Sequence, residues 1–253
     1  MAELELWQFQ YSHFCEKARW VLDYKQIPHR RHSLLPGFHI RKARKASGQQ
    51  LVPILFIDGQ ALADSSAITT RLEADHPEPS LMPGGELGQR ALDWERRLGE
   101  ELGPSIRRAL FFDLLPQKEY ALGVLSSGAT DPEARRFRRA FWFLKLALKA
   151  SMGLTRTKAA AAWARTESVL DQLADATANS DYLVGDSFTI ADLTAVALLC
   201  PLLPPEWKVL CQPALPPPEL RAVIDRYQAH PAIAWARRIW ERHRPESAEI
   251  KSS

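Results

Sequence analysis

The sequence predicts a small α/β domain followed by a larger all-helical domain, with the chemistry at the turn Tyr11-Ser12-His13-Phe14-Cys15. Three observations carry this. Between Leu4 and Asp75 the apolar spacing switches between two and three-to-four residues, as interleaved strands and helices require. A stretch rich in proline and glycine, Pro77-Glu78-Pro79 and then Leu81-Met82-Pro83-Gly84-Gly85, interrupts the pattern. After it nearly every segment has helical period. Two domains are expected, over residues 1–80 and 87–245.

Leu4 to Phe9 alternates apolar and polar residues and reads as a half-buried strand. Gln10 to His13 forms a turn, with Ser12 at a helix N-cap. In that helix Phe14, Ala18, Val21 and Leu22 recur at spacings of three and four, and Glu16, Lys17 and Asp23 fill the other face. Ile27-Pro28-His29 ends the helix and opens a second extended segment. Gly37 to Gln50 is basic and polar, a loop with a short helix. Leu51 to Ile57 is a strongly apolar strand, Asp58-Gly59 a hairpin turn, and Gln60-Ala61-Leu62 the returning strand. Asp64-Ser65-Ser66 caps a helix over Ala67 to Asp75. The predicted order is β-α-β-(α)-β-β-α. Further helices are expected at Leu87 to Leu115, Pro132 to Ser151, Lys158 to Thr177, Ile190 to Leu199, Pro218 to Gln228 and Ala232 to His243. Pro201 to Pro218, with Trp207 and Cys211, reads as an insertion that could cover a pocket. The polar tail after Pro245 is expected to be loose.

Composition narrows the function. The net charge is +3, from 33 basic and 30 acidic residues, too balanced to argue for nucleic acid. The basic runs Arg135 to Arg139 and Arg237-Arg238 read as exposed helix faces. Cys15, Cys200 and Cys211 are an odd, sparse set, which fits a reducing compartment and not a disulfide framework. The N-terminus is acidic where a signal peptide would be basic. The longest apolar run, Leu193 to Leu203, is broken by Pro201 and falls short of the ~20 residues that span a bilayer. A cytoplasmic location is expected, with neither membrane nor nucleic acid as a partner.

Four features of the first domain converge. A helix N-terminus offers free N–H groups and the positive end of the macrodipole, which stabilise an anion and lower a thiol's pKa. Ser12 and Cys15, three apart, share a face of that first turn. The plainer reading is that Ser12 only caps and Cys15 only packs. Pro53, amid an apolar run, cannot be an ordinary central-strand residue and fits a strand start preceded by a cis bond. Asp64-Ser65 at a helix start could hold an ammonium and a carboxylate, or could be a simple cap. Arg19 reads as a structural ion-pair partner.

Together, Y-S-H-F-C-E-K-A-R from Tyr11, L-V-P-I-L from Leu51, A-D-S-S-A-I from Ala63 and the later Gly185-Asp186-Ser187-Phe188-Thr189-Ile190-Ala191-Asp192 resemble the cytosolic glutathione transferase family. The resemblance covers residues 3 to 243. It is closest in motif to serine-type zeta-, tau- and omega-like members. It implies an α/β thioredoxin-like N-terminal domain and an all-α C-terminal domain. Thr189 to Asp192 has capping-box spacing, a stability feature.

Ser12 precedes Arg19 by seven positions, as the active residue does in the family's serine and cysteine classes. The resemblance therefore implies that Ser12 donates a hydrogen bond to the glutathione sulfur and favours its thiolate. Tyr11 is the runner-up donor. Cys15 takes the place of the second cysteine of a redoxin C-x-x-C and could form a mixed disulfide. Val52, before cis-Pro53, would pair its backbone with the cysteinyl part of glutathione. Asp64 and Ser65 would hold the γ-glutamyl end, and Gln50 the glycine carboxylate. His13 stands where relatives have proline; it could face the ligand as a base or a cation, or lie in a solvent-facing loop. Phe14 and Leu51 join the expected glutathione contacts. Arg41, Lys42, Arg44 and Lys45 could attract the anionic tripeptide or form a solvated loop.

A pocket for a hydrophobic second substrate is expected between the domains, from a stock of Trp94, Leu98, Phe111, Phe112, Tyr120, Phe137, Phe141 and Trp142. Glutathione is implied as co-substrate, with no metal, in a detoxifying homodimer. Two other readings stay open. One is a different glutathione enzyme: a thiol-disulfide reductase, peroxidase, isomerase or dehalogenase. The other is a non-catalytic glutathione-binding or scaffold protein.

Overall fold

The alternation in the first strand becomes burial. In β1 (Leu4–Gln8) the side chains of Leu4, Leu6 and Gln8 are buried, and Glu5 and Trp7 are half-buried. In the computed structural model, which describes residues 3–204 and 215–250, β1 lies inside a four-stranded sheet. The order is β2 (Arg30–Ser33), β1, β3 (Ile54–Ile57), β4 (Gln60–Ala63); β1 and β2 are parallel, and the other pairs are antiparallel. Asp58 and Gly59 both take positive φ, the backbone that a two-residue hairpin needs. Three helices complete the domain: α1 (His13–Tyr24), α2 (His39–Ser47) and α3 (Ser65–Asp75). The predicted order is present, and it is thioredoxin-like. β3 begins three residues later than expected, after the cis Val52–Pro53 bond, because Pro53 has no N–H to give a ladder.

The helical domain holds α4 (Gly85–Leu114), α5 (Lys118–Leu125), α6 (Asp131–Ser151), α7 (Arg156–Ala176), α8 (Ile190–Leu199), α9 (Pro218–Asp225) and α10 (Pro231–His243). α5 was not anticipated; two turns containing Gly123 are too short to show a period. α8 matches its predicted span and is buried along its whole length. It packs against α1, α4 and α10, so the two domains share one core. Full burial of Leu193, Leu198 or Leu199 stabilises by ~1.5–3 kcal/mol each. The capping box forms: Thr189 N donates to Asp192 Oδ2 at 2.9 Å, and Leu183 N donates to Oδ1 at 2.8 Å.

Two expectations are corrected. Glu16, Lys17 and Asp23 do not face solvent. Burial extends from Cys15 to Asp23 because α1 is clasped between the sheet with α3 and the helical domain's α8. Its charges are therefore paired inside the protein. Arg31 grips Asp23 with two bonds of 2.7 and 2.8 Å. Arg19 Nε donates to Glu16 Oε2 at 2.6 Å. The described part of the tail, to Ile250, is not loose either. Ala248 N donates to Asp23 Oδ1 at 2.9 Å and Ile250 N to the His29 carbonyl at 2.8 Å. At the start of the expected insertion, Pro201 and Leu202 belong to a 3-10 turn, Cys200–Leu202, and at its end Pro218 opens α9. Trp207 and Cys211 lie outside the described residues.

Candidate functional site

β1 ends at the turn that carries the predicted chemistry. Ser12 N donates to the Phe9 carbonyl at 3.1 Å, closing the turn. Arg19 reaches back from α1 to the carbonyls of Gln10, at 3.1 Å, and Phe9, at 3.4 Å. It is also the ion-pair partner that the sequence suggested, of Glu16, and its bonds to the turn fix where Ser12 stands. Ser12 is the N-cap of α1, extended at φ −85° and ψ 124°; its Oγ accepts from Cys15 N at 3.4 Å. The cap uses a lone pair of the hydroxyl, which also bonds the Cys15 sulfur and favours that group's ionised form.

A cavity of about 490 Å³ lies over this turn. Tyr11, Ser12, His13, Phe14, Gln50, Leu51 and Val52 line it from the α/β domain. Arg107, Leu110, Phe111, Leu114 and Tyr120 face them from the helical domain. A cavity therefore lies between the domains, and only part of the expected stock lines it. Phe111 and Tyr120 do; Leu98, Phe137 and Phe141 are core. Trp142 is exposed.

A second cavity, of about 460 Å³, lies on the other side of Phe14. Asp64, Ser65 and Ser66 line it, with Lys17 and Glu95. Asp64 caps α3: its Oδ1 accepts from Ser66 N at 2.9 Å and from Ala67 N at 3.1 Å. Lys17 and Glu95 form a buried ion pair joined by the Ser66 hydroxyl. Burial pushes the Lys17 ammonium down, against the pull of Glu95.

The structure does not bring Cys15 or Pro53 to either cavity. Cys15 has no exposed surface, and its Sγ accepts from Phe9 N at 3.5 Å. Burial pushes the thiol up, although Arg19 opposes this. The thiolate that a mixed disulfide needs is disfavoured there. Pro53 follows Val52 across the cis bond, and Val52 itself lines the main cavity. His13 is neither a cation nor a solvent-facing residue. It is 5% exposed. Burial first and the Arg107 charge second push it down to about 3, against a bond to the Gly103 backbone. Burial likewise holds the Tyr11 phenol well above its usual range, so it stays protonated.

The sequence reading passed over Arg107, His39 and the Lys17–Glu95 pair. A signal existed for two of them. Arg107 falls in one stripe with Gly103, Leu110, Phe111 and Leu114, and Glu95 in one with Ala91, Leu98 and Leu102. A charge inside an apolar stripe faces a core or a pocket. Gly103 is itself required, because a Cβ there would collide with the Phe14 ring.

A thioredoxin-like domain whose first helix opens beneath a pocket walled by a second, helical domain defines a class of two-domain folds. The N-terminal-domain model of glutathione S-transferases matches residues 6–80, and the C-terminal-domain model matches residues 145–235. Together they account for well over half of the chain, which belongs to the glutathione S-transferase family. No curated protein matches it in sequence. Among solved structures it is similar to the beta-etherase LigF from Sphingobium sp. strain SYK-6, with 21% identity, 93% of this chain and 98% of that one covered, and a TM-score of 0.60. It is similar to a glutathione S-transferase from Methylobacillus flagellatus KT with glutathione bound, at 15% identity, 96% and 100% coverage and a TM-score of 0.63. A glutathione S-transferase from Methylobacterium radiotolerans JCM 2831, in complex with glutathione sulfonate, gives 20%, 99% and 99%, and 0.56. At these identities the likeness is one of fold.

Proposed function

We propose that the protein conjugates the thiolate of glutathione to a small hydrophobic electrophile, with Ser12 as the thiolate's hydrogen-bond donor. One observation carries this: the Ser12 hydroxyl stands at the N-terminus of α1 on the wall of a largely apolar cavity. The thiolate sulfur attacks the electrophilic carbon, and the C–S bond forms as the leaving group departs with its electron pair. The thiol proton goes to solvent. Lowering a thiol pKa by about two units requires ~2.7 kcal/mol. A hydrogen bond to a charged sulfur supplies ~1.5–3 kcal/mol, and a helix N-terminus ~0.3–1 kcal/mol. The two effects are large enough without a base.

In this reading Val52 aligns the cysteinyl backbone, with Gln50 and Leu51 toward the glycine end. Asp64 and Ser65 take the γ-glutamyl end in the second, more polar cavity, and Phe14 borders both. Tyr11, His13 and Phe14 shape the floor. Burial of Cys15 disfavours the redox variants of the reading. The homodimer, the cytoplasmic location and the detoxifying role come with the family resemblance and rest on it. No helix among the described residues is long and apolar enough to cross a membrane.

The test is turnover of 1-chloro-2,4-dinitrobenzene together with the pKa of bound glutathione. Ser12→Ala is expected to cut kcat/KM at least about tenfold and raise that pKa by about one unit or more, the equivalent of ~1.4 kcal/mol. Unchanged turnover would remove Ser12 from its role. Absence of glutathione binding by calorimetry would remove the reading itself.

A further inference from the structure

We infer that Arg107 anchors an acidic group of the second substrate, so that the electrophile accepted here carries a carboxylate or similar anion on an apolar body. The inference rests on the transferase reading for the word electrophile, but its geometry stands apart from it. Among the described residues lining the main cavity there is no aspartate or glutamate. Arg107 is the one lysine or arginine among them. The two histidines on that wall, His13 and His39, are both pushed down by burial and stay neutral at pH 7.

Arg107 makes no ion pair among the described residues. What surrounds it is apolar, neutral or cationic. Its guanidinium lies 5.9 Å from the centre of the Phe14 ring. The Tyr11 phenol beside it is protonated, and the nearby Arg108 repels it. Leu110, Phe111 and Leu114, on the same stripe of α4, continue the wall away from it.

A guanidinium does not discharge in a protein, so it cannot escape this setting by losing its proton. A cation held among apolar groups without a counter-charge is unfavourable, and an anion that enters with good geometry offsets that cost. The planar fork suits a carboxylate bonded through both oxygens. The apolar remainder of the cavity suits the body of such a ligand. Neither carboxylate of glutathione is assigned to Arg107. In the proposed reading the γ-glutamyl end goes to the Asp64–Ser65 cavity and the glycine end to Gln50, which leaves the cation for the second substrate.

The experiment uses 4-methyl-3-nitrobenzoate, which has no leaving group, and its methyl ester. Each is titrated calorimetrically into the full-length, glutathione-saturated protein. The wild type is expected to bind the acid at least about tenfold more tightly than the ester, a modest value for a charged hydrogen bond. Arg107→Met is expected to lose at least that factor for the acid, with the ester and glutathione within about twofold of wild type; Arg107→Lys falls between. Equal binding of acid and ester by the wild type, or no binding of the acid, overturns the inference. So does an Arg107→Met variant that weakens the ester or glutathione as much as the acid. Turnover of 4-chloro-3-nitrobenzoate separates the two claims. Binding of the acid through Arg107 without conjugation sinks the transferase reading and leaves the anion site standing.

Discussion

Arg244 Nε lies 2.8 Å from Glu16 Oε1, across 228 residues of sequence, and Arg244 Nη2 lies 2.8 Å from Asp23 Oδ2. The same guanidinium sits over Trp20 and Trp240, at 5.7 and 5.6 Å from the ring centres. One side chain after α10 therefore ties together both acidic residues of α1. It sits directly behind the turn that carries Ser12.

Replacing Arg244 by alanine should be costly. The side chains of Glu16 and Asp23 are 2% and 0% exposed, so each loses a partner that water cannot replace. Removing one member of a buried ion pair costs ~3–5 kcal/mol. Because Arg19 and Arg31 remain as partners, the lower end, about 3 kcal/mol, is expected. The urea midpoint measures it. An Arg244→Ala midpoint equal to wild type would show that the tail contributes nothing to stability.

His13 gives a pH dependence with a definite sign. Its folded pKa, about 3, lies below the ordinary value of 6.5. The folded state thus binds fewer protons than the unfolded state between these values. The stability from this group is complete above pH 6.5 and is lost as pH falls toward 3. His13→Gln should therefore flatten the decline in stability between pH 6 and pH 4. Urea midpoints at four pH values test it; an equally steep decline in the variant would mean that His13 is charged or exposed in the folded protein.

Cys15 should be inert. Its thiol is buried and pushed up, so the reactive thiolate is scarce in the folded state. Iodoacetamide at pH 8 should label Cys15 at least about a hundredfold more slowly in the native protein than in urea, as peptide mapping by mass spectrometry would show. Cys15→Ala should also retain conjugation of glutathione. Rapid native labelling, or a variant without activity, would restore Cys15 to the chemistry.

Much of the α/β domain was legible because its signals are local. The alternation in β1, the Asp58-Gly59 turn, Pro53 and the caps at Ser12 and Asp64 each act within a few residues. Tyr11 to Phe14 and Gln50 to Val52, which line the main cavity, were named through the family resemblance and not through local signals alone. What was hidden depends on two domains meeting. Glu16, Lys17 and Asp23 form an ordinary polar face until α8 and the tail cover them. His13 looks like a loop histidine until the Gly103 turn of α4 closes over it. Arg107 becomes part of the site only because α4 turns that face to the Ser12 turn. Charges within apolar stripes were the available clue, and they point across the interface and not along the chain.

The tail contact also bears on the order in which the protein can be completed during synthesis. Glu16 and Asp23 leave the ribosome long before Arg244 does. Until then Glu16 Oε1 lacks this cation, and the α8 wall is absent as well. Arg19 and Arg31 can neutralise part of the charge at once, so a partly ordered α/β domain can wait. It cannot close its own core, because α1 is roofed by later sequence. The turn that carries Ser12 is thus finished from behind, by residues that arrive after the whole helical domain.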